Sequence, residues 1–236
     1  SIKGIFKELQ SKKIKFGVVP IENSSNGIVN DTINGFTNFN SKIVAEVILN
    51  IHHTLATTCD KISDIKKIYS KDIAFDQCRK FLTNFGLDEV ELIPVESTTK
   101  AAKLAANEPN CAAICAHVAA KLYNLPILFE NIEDKDNNKT RFFILSDFEN
   151  SPSGNDKTSI LVNLPDEQGG LVRFLNDFNN AGINLTKIKS HIVEGNSIFF
   201  IDFDGHKDDE NVKKVLEKHK SSIKILGSYV KEIKDI

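Results

Sequence analysis

Residues 149–157 read ENSPSGNDK and contain no apolar side chain, although strand-like apolar runs lie on both sides of them. Ser, Pro, Gly and Asn favour turns and loops, so this stretch predicts a break between two folded parts. A length of 236 residues also fits two compact domains better than one. We therefore predict a domain at residues 1–148, a linker at 149–156 and a second domain at 157–236.

Downstream of this break, strand and helix patterns follow one another in the order β-α-β-β-α-β. The helical pattern at residues 171–180 places Leu171, Leu175 and Phe178 on one face. The order is that of the ferredoxin-like sandwich, in which helices cover one face of an antiparallel sheet. The predicted strands lie at residues 158–164, 183–192, 197–204 and 223–230, and the helices at 171–180 and 209–219.

Upstream of the break, short apolar runs alternate with helical patterns, as in α/β proteins. The first residues have Ile2, Ile5, Phe6 and Leu9 at helical spacing. The sequence therefore predicts an α/β domain followed by a smaller ferredoxin-like domain. The predicted upstream strands lie at residues 16–21, 43–51, 67–70, 90–95 and 141–146, and helices at 76–84, 98–107 and 112–123.

The composition combines many apolar residues with almost balanced charge. The chain has 30 basic and 32 acidic side chains. A nucleic-acid-binding protein needs a basic excess, so no nucleic acid partner is expected. No apolar run approaches the roughly 20 residues that cross a bilayer, and no signal-peptide pattern opens the chain. Four cysteines are too few for a disulfide framework. We expect a cytoplasmic protein with reduced thiols and no membrane segment.

Two polar segments follow predicted upstream strands, at the edge where open α/β sheets expose binding groups. The first, PIENS at residues 20–24, contains Glu22, Asn23 and Ser24, and the second contains Ser97 and Thr98. Both segments have residue types that cap a following helix, and helix starts also bind anions through free N–H groups. From these residues alone, helix capping and ligand binding both stay open.

A third polar segment introduces the last upstream strand with Thr140 and Arg141. An arginine at this point is either a surface charge or a planar fork for a carboxylate. Cys111 and Cys115 would share a helix face, but no second pair has zinc-ligand spacing, so buried thiols are favoured over a metal site. Of the dipeptide His52-His53, at most one side chain can face a ligand, because neighbouring strand residues point apart.

These three segments, in this order and ahead of a ferredoxin-like domain, resemble the prephenate dehydratase family. Residues 17–24, GVVPIENS, look like the family's block of that sequence, and residues 140–142 look like its TRF motif. The downstream domain resembles the ACT domain, an amino-acid-sensing module usual in this family. Other matching blocks are YS at 69–70, QCR at 77–79, ST and AA at 97–98 and 101–102, and NIED at 131–134.

The resemblance implies an α/β fold, with a two-lobed catalytic domain like that of periplasmic binding proteins and then a ferredoxin-like (βαββαβ) ACT domain. It implies the decarboxylating dehydration of prephenate to phenylpyruvate, a carbon–oxygen lyase reaction of L-phenylalanine biosynthesis. Becoming aromatic drives this reaction, so no metal or organic cofactor is expected. The site must hold the substrate carboxylate and donate a hydrogen bond to the leaving oxygen.

In such a site, the resemblance implies that Arg141 binds the pyruvyl carboxylate and that Thr140 contacts the leaving hydroxyl. A threonine hydroxyl is a weak acid, so Thr140 is expected to position or relay a proton. Glu22 is the candidate general acid, and a structural carboxylate bonded to backbone N–H groups is the alternative. The other expected substrate contacts are Asn23, Ser24, Ser97, Thr98 and Phe142.

The ACT resemblance implies feedback regulation by L-phenylalanine, bound between the ACT domains of a homodimer or homotetramer. Residues 189–192, KSHI, replace the family's ESRP, a departure that bears on this control. The expected effector-binding residues lie in a glycine turn and at the start of the next strand: Gly169, Gly170, Leu171, Val172, Asn184 and Leu185.

The family's glycine-rich GPxGTxS segment is absent from this sequence, and some relatives fuse a chorismate mutase domain upstream. Two alternatives of function stay open: an arogenate dehydratase, whose substrate differs by an amino group, and a non-catalytic module that senses amino acids. Thr140 and Arg141 together favour an enzyme, because a sensor needs the arginine but not a hydroxyl at the leaving group.

Overall fold

The computed structural model describes residues 1–25, 27–135, 137–193 and 196–231. The chain divides into two compact units, the first comprising residues 1–49 and 139–236 and the second residues 50–138. The first unit thus combines upstream strands with the C-terminal domain, which comprises residues 156–230. Residues 147–155 contain no helix or strand, and the domain limits at 148 and 157 stay a prediction.

Short strands and helices alternate along the upstream part of the chain. They are α1 (Ile2–Gln10), β1 (Gly17–Asn23), β2 (Gly27–Ile28), α2 (Asn30–Asn38), β3 (Lys42–Asn50), β4 (Thr54–Thr57), β5 (Lys67–Ser70), α3 (Asp72–Gln77), α4 (Arg79–Asn84), β6 (Glu91–Pro94), α5 (Thr98–Ala105), β7 (Cys111–Cys115), α6 (His117–Leu122), β8 (Ile127–Phe129) and β9 (Lys139–Ser146). Those of the C-terminal domain are β10 (Asp156–Asn163), α7 (Gly170–Asn180), β11 (Leu185–Val193), β12 (Asn196–Asp204), α8 (Glu210–Lys218) and β13 (Ile223–Val230).

The upstream sheet of the first unit has the strand order β2-β1-β9-β3. Strands β1 and β9 are antiparallel, and their register shifts at Ile21, which is an extra residue between the pairs Pro20 with Phe142 and Glu22 with Arg141. One face of this sheet is covered by α1 and α2, whose buried residues include Phe6 and Phe36. This shift decides which side chains at the end of β1 share a face with those of β9.

The C-terminal domain forms a four-stranded antiparallel sheet of order β11-β12-β10-β13. Ile160 and Val162 of β10 pack with the buried residues of α7 and α8. Leu161, between them, belongs instead to the core that contains Phe143 of the upstream sheet. Since neighbouring strand residues point to opposite faces, the helices cover one face and the upstream sheet covers the other.

The second unit contains a five-stranded sheet of order β6-β5-β7-β4-β8. Strand β5 is parallel to β6 and β7, whereas β4 is antiparallel to β7. Two apolar cores lie on its faces, one with Ala113 of β7 and the alanines of α5, the other with Ile114 of β7 and Leu82 of α4. The unit is therefore a sheet with helices on both faces, the arrangement of α/β domains.

The βαββαβ order and the alternation of strands and helices upstream are confirmed, but the helix predicted at residues 112–123 is wrong. Its first half is β7, the central strand, in which all five residues are buried. A strand covered on both faces shows no polar alternation, so a run of Ala and Cys does not separate strand from helix. All four cysteines are free thiols. Among the described residues, no helix has the length and apolar character needed to cross a bilayer.

Candidate active site

Thr140 is held by an amide side chain from the neighbouring strand. Asn23 and Thr140 are paired residues of β1 and β9, and Nδ2 of Asn23 donates to Thr140 Oγ1 at 2.9 Å. The amide is oriented from its other end, because Asn23 Oδ1 accepts the backbone N–H of Ser25 at 2.9 Å. Thr140 Oγ1 is therefore the hydrogen-bond acceptor in this contact. Its hydroxyl hydrogen is left for donation to another acceptor.

The PIENS segment does not cap a helix, which corrects that alternative. Strand β1 runs to Asn23, and α2 begins only at Asn30, without a side-chain cap. Ser24 instead ties the two strands together, since its N–H donates to Lys139 O and its Oγ accepts the Lys139 N–H, both at 2.9 Å. These bonds close the end of the strand pair beside Thr140.

The side chains predicted to contact substrate divide between the two faces of this sheet. Glu22 and Arg141 are paired, and they are the immediate neighbours of Asn23 and Thr140 along the strands. Neighbouring strand residues point to opposite faces, so Asn23 and Thr140 lie on one face and Glu22 and Arg141 on the other. Phe142 shares the face of Thr140 and is half-buried. Thr140, which is 9% exposed, therefore lies on the face opposite Glu22 and Arg141.

The structure corrects the role predicted for Arg141. Its Nε donates to Glu46 Oε2 at 2.7 Å, Nη1 to Asp202 Oδ2 at 2.5 Å and Nη2 to Tyr229 Oη at 3.0 Å, and the residue is 7% exposed. Burial opposes the charge, but the carboxylates of Asp202 and Glu46 outweigh burial and raise the pKa of Arg141. The guanidinium is thus a buried ion-pair partner and not a fork open to a substrate carboxylate.

Glu22 is also engaged on the face opposite Thr140. Its carboxylate forms an ion pair with Lys187 of β11, in the C-terminal domain. A general acid must place a proton within reach of the leaving group, whereas this carboxylate contacts Lys187 on the side of the sheet away from Thr140. The general-acid role predicted for Glu22 is therefore not supported.

Ser97 and Thr98 lie in the second unit, at the start of α5. Ser97 is the N-cap, and its Oγ accepts the backbone N–H of Lys100 at 3.1 Å. Thr98 is the first residue of the helix and is half-buried. Helix capping is thus confirmed for Ser97. A ligand contact for either residue stays a prediction, which the N–H groups of a helix start make chemically reasonable.

A polar cluster in the second unit joins the NIED segment to the QCR segment. Glu133 accepts hydrogen bonds from the His53 N–H at 2.9 Å and from the His52 ring at 2.6 Å. Burial opposes ionisation of Glu133, but these hydrogen bonds outweigh it and lower its pKa. His53 Nε2 and Asn138 Nδ2 both contact Gln77 Oε1, at 2.8 and 3.2 Å. Within the described residues, no group of three or more His, Cys, Asp or Glu is placed to hold a metal ion.

The family model described as prephenate dehydratase matches residues 1–150, and the model of the ACT domain matches residues 158–220. The chain belongs to the prephenate dehydratase family. It is 40% identical over 240 residues to the prephenate dehydratase of Methanocaldococcus jannaschii, covering 97% of this chain and 85% of that protein. It is 39% identical over 239 residues to a bifunctional chorismate mutase/prephenate dehydratase of Aquifex aeolicus, covering 99% of this chain. The chain spans 66% of that bifunctional relative's length, just under two thirds.

A solved structure of the family shows the same fold. Prephenate dehydratase from Arthrobacter aurescens, described in complex with L-Phe, has a TM-score of 0.87 and 31% identity, covering 98% of this chain and 80% of that one. The fold class predicted from the sequence, α/β with a ferredoxin-like ACT domain at its C-terminal end, is confirmed.

The effector residues predicted in the ACT domain lie at the two ends of α7. Gly169 precedes the helix with a φ of 75°, and Gly170, Leu171 and Val172 form its first turn. Leu171 lines a cavity of about 740 Å³ at that end. Asn184 and Leu185 follow the other end, where they line a separate cavity of about 380 Å³. One ACT domain therefore does not bring the two groups into a single pocket.

Glu46 and Asp202 are buried ionic residues that the sequence analysis did not single out, although the sequence contained a signal for both. Glu46 is a lone charge in the apolar stretch IVAEVIL of β3, and Asp202 is a lone charge in IFFIDF of β12. A charged residue on an otherwise apolar strand needs a buried partner, and in this fold that partner is Arg141.

Proposed function

We propose that this chain catalyses the conversion of prephenate to phenylpyruvate. In this reaction the bond from the ring to its carboxylate breaks, carbon dioxide leaves, and the electron pair of that bond enters the ring. The ring becomes aromatic as the bond to the hydroxyl oxygen breaks, and that oxygen takes a proton and leaves as water. The protein has to donate a hydrogen bond to the departing oxygen and hold the remainder of the substrate in place.

The observation that carries the proposal is the direction of the hydrogen bond between Asn23 and Thr140. The amide of Asn23 donates to Thr140 Oγ1, so the threonine hydroxyl is oriented as a donor. A donor placed where negative charge develops stabilises the transition state more than the ground state. The leaving hydroxyl of prephenate develops such charge. Thr140 positions or relays a proton there, because its own hydroxyl is too weak an acid to give up a proton outright.

The other substrate contacts in this proposal are the polar and aromatic residues that the family resemblance singles out. Phe142 shares the face of Thr140 and supplies an apolar surface for the ring of the substrate. Asn23 and Ser24 position Thr140 and line the polar side of the site. Ser97 and Thr98 are proposed to bind an anionic group at the start of α5.

The proposal is tested by mixing the purified protein with prephenate and following phenylpyruvate by its absorbance. Thr140→Val removes the hydroxyl and keeps the shape of the side chain, so kcat should fall on the order of a hundredfold or more. Thr140→Ser keeps the hydroxyl and should retain most of the activity. Thr37→Val is the matched control, because the Thr37 hydroxyl bonds to the backbone of its own helix, at Ile33 O.

Arogenate is offered in a parallel reaction, since it differs from prephenate by an amino group on the side chain. Faster turnover of arogenate would make the protein an arogenate dehydratase. Turnover of neither substrate, with phenylalanine still bound in calorimetry, would favour a non-catalytic sensor. Full activity of Thr140→Val would remove Thr140 from the mechanism.

We further propose that L-phenylalanine binds between the ACT domains of two copies and lowers activity. The two groups of predicted effector residues lie at opposite ends of α7, so a site that uses both requires a second copy. Such an assembly, a homodimer or homotetramer, would be seen by sedimentation. A cytoplasmic location belongs to the same proposal and agrees with the four free thiols. A monomer that shows no heat with phenylalanine would contradict it.

A further inference from the structure

The two strands that hold Thr140 are both tied, on their other face, to the ACT sheet. Glu22, beside Asn23 in β1, forms an ion pair with Lys187 of β11. Arg141, beside Thr140 in β9, contacts β12 through Asp202 and β13 through Tyr229. Glu22 and Arg141, the neighbours of Asn23 and Thr140 along the strands, thus connect the proposed active site to the ACT domain.

The contacts of Arg141 close into a ring of hydrogen bonds with one possible direction. Asp202 only accepts, so Ser159 Oγ donates to Asp202 Oδ1 at 2.6 Å. Ser159 Oγ then accepts from Tyr229 Oη at 2.6 Å, and Tyr229 Oη accepts from Arg141 Nη2 at 3.0 Å. Arg141 Nη1 donates to Asp202 Oδ2 at 2.5 Å and completes the ring. Every group in it has a defined donor or acceptor role.

The charges of this cluster balance, which makes it costly to separate. Arg141 and Lys157 are opposed by Glu46 and Asp202, with Lys157 Nζ at 2.6 Å from Glu46 Oε1. Breaking a buried ion pair leaves a charge without compensation, which is more costly than losing a surface contact. Because the ring is costly to break, a displacement of β12 or β13 should move β9 with it.

We propose that Arg141 is a positioning residue, through which the placement of the ACT sheet sets the geometry of Thr140. This inference rests on the proposed function, because it takes Thr140 as the residue that acts on substrate. Arg141 acts through one peptide bond and does not touch the substrate. A change at the ACT end of the ring should therefore alter the rate of the chemical step and leave substrate binding almost unchanged.

The test compares Asp202→Asn with Asp177→Asn in the full chain. Both residues are ACT-domain carboxylates with two partners, but Asp177 pairs with Lys218 and His219, which lie in the ACT domain and not in β9. In Asp202→Asn, kcat for prephenate should fall by about tenfold to a hundredfold, the range of a small misplacement of a catalytic group, with KM within about threefold of wild type. In Asp177→Asn both constants should stay at the wild-type values.

Two further measurements separate positioning from a general loss of stability. Hydrogen–deuterium exchange of the peptide that covers β9 should be faster in Asp202→Asn than in Asp177→Asn. Arg141→Lys keeps the charge but loses the planar fork, so it should lower kcat like Asp202→Asn, and the double variant should be no worse than either single one. If the decreases in kcat of the two single variants were additive in the double variant, Arg141 and Asp202 would not act on Thr140 through the same contact.

The inference is overturned if folded Asp202→Asn has the kcat of Asp177→Asn, or if exchange in β9 is the same in both. If wild type does not convert prephenate, the proposed function fails, and exchange in β9 alone decides whether the ring positions that strand. If Asp202→Asn does not fold, Tyr229→Phe replaces it under the same criteria, because this variant removes one link of the ring and no charge.

Discussion

Gly227 of β13 lies against the backbone of β3, where the ACT sheet contacts the upstream sheet. A Cβ atom at this position would lie 2.1 Å from Ile43 O and 2.9 Å from Ile43 N and C, whereas ordinary contacts begin at 3.4 Å. Gly227→Ala therefore requires the two strands to separate by more than 1 Å. The same contact explains why glycine is needed at this position although its φ is not positive.

The cost of this substitution follows from which atoms must move. Overpacking costs about 1–3 kcal/mol where side chains can yield. At Gly227 the neighbouring atoms are backbone in paired strands, and Ile43 lies in the same core as Leu226 and Tyr229. We therefore expect the free energy of unfolding to fall by about 3 kcal/mol or more. For a chain of this size that corresponds to a decrease in Tm of roughly 6–12 °C.

The measurement is urea and thermal unfolding followed by circular dichroism. Gly4→Ala is the control in the same unit, because its Cβ would meet only the terminal Ser1 Oγ, at 3.1 Å, within α1. Alanine is the better helix former by about 1 kcal/mol, so this control should be neutral or stabilising. A Gly227→Ala protein within about 0.5 kcal/mol of wild type, the range of an ordinary surface substitution, would refute the reasoning.

Three predictions concern other contacts of the described residues. Burial raises the pKa of Glu46, but Arg141 and Lys157 outweigh burial and hold it below 4.5. The stabilisation by this carboxylate is present above the unfolded pKa and lost as pH falls through the folded one, so in urea titrations the difference in unfolding free energy between wild type and Glu46→Gln should shrink as pH falls below about 4.5. Burial raises the pKa of Cys78 and raises that of Cys111 to about 11, so mass spectrometry should show both thiols alkylated much more slowly in the folded protein than in urea. Asn23→Asp replaces the amide that donates to Thr140 Oγ1 with a carboxylate that only accepts, so the Thr140 hydroxyl should donate to residue 23 and not to the substrate. We therefore expect kcat for prephenate to fall about as far as in Thr140→Val. The control Asn38→Asp should leave kcat unchanged, because the Asn38 amide bonds to the backbone of its own helix.

Local pattern was sufficient for much of the fold. The predicted strands at 67–70 and 223–230 coincide with β5 and β13, and the helix at 171–180 with α7 to within one residue. These elements have apolar residues at a clear period and lie between turn residues, so their neighbours in space were not needed. Strand β7 lacked such a period, because both its faces are buried.

For the site, the sequence determined which residues are neighbours along β1 and β9 and that consecutive side chains point apart. It grouped Thr140 with the PIENS segment, although it contained no pairing of Asn23 with Thr140. It also could not tell which face of the strand pair would be covered by the ACT sheet. Arg141 and Glu22 therefore read as exposed polar groups at strand ends, the usual position of ligand contacts.

Only the tertiary structure decided their roles. The extra residue Ile21 sets the register that pairs Glu22 with Arg141, and packing of the ACT sheet on that face supplies Asp202, Tyr229 and Lys187. These partners lie far from Arg141 and Glu22 in the chain, so no local spacing encodes them. A side chain's chemistry is set by its sequence, but whether that chemistry serves a ligand or an internal ion pair depends on what the rest of the chain brings next to it.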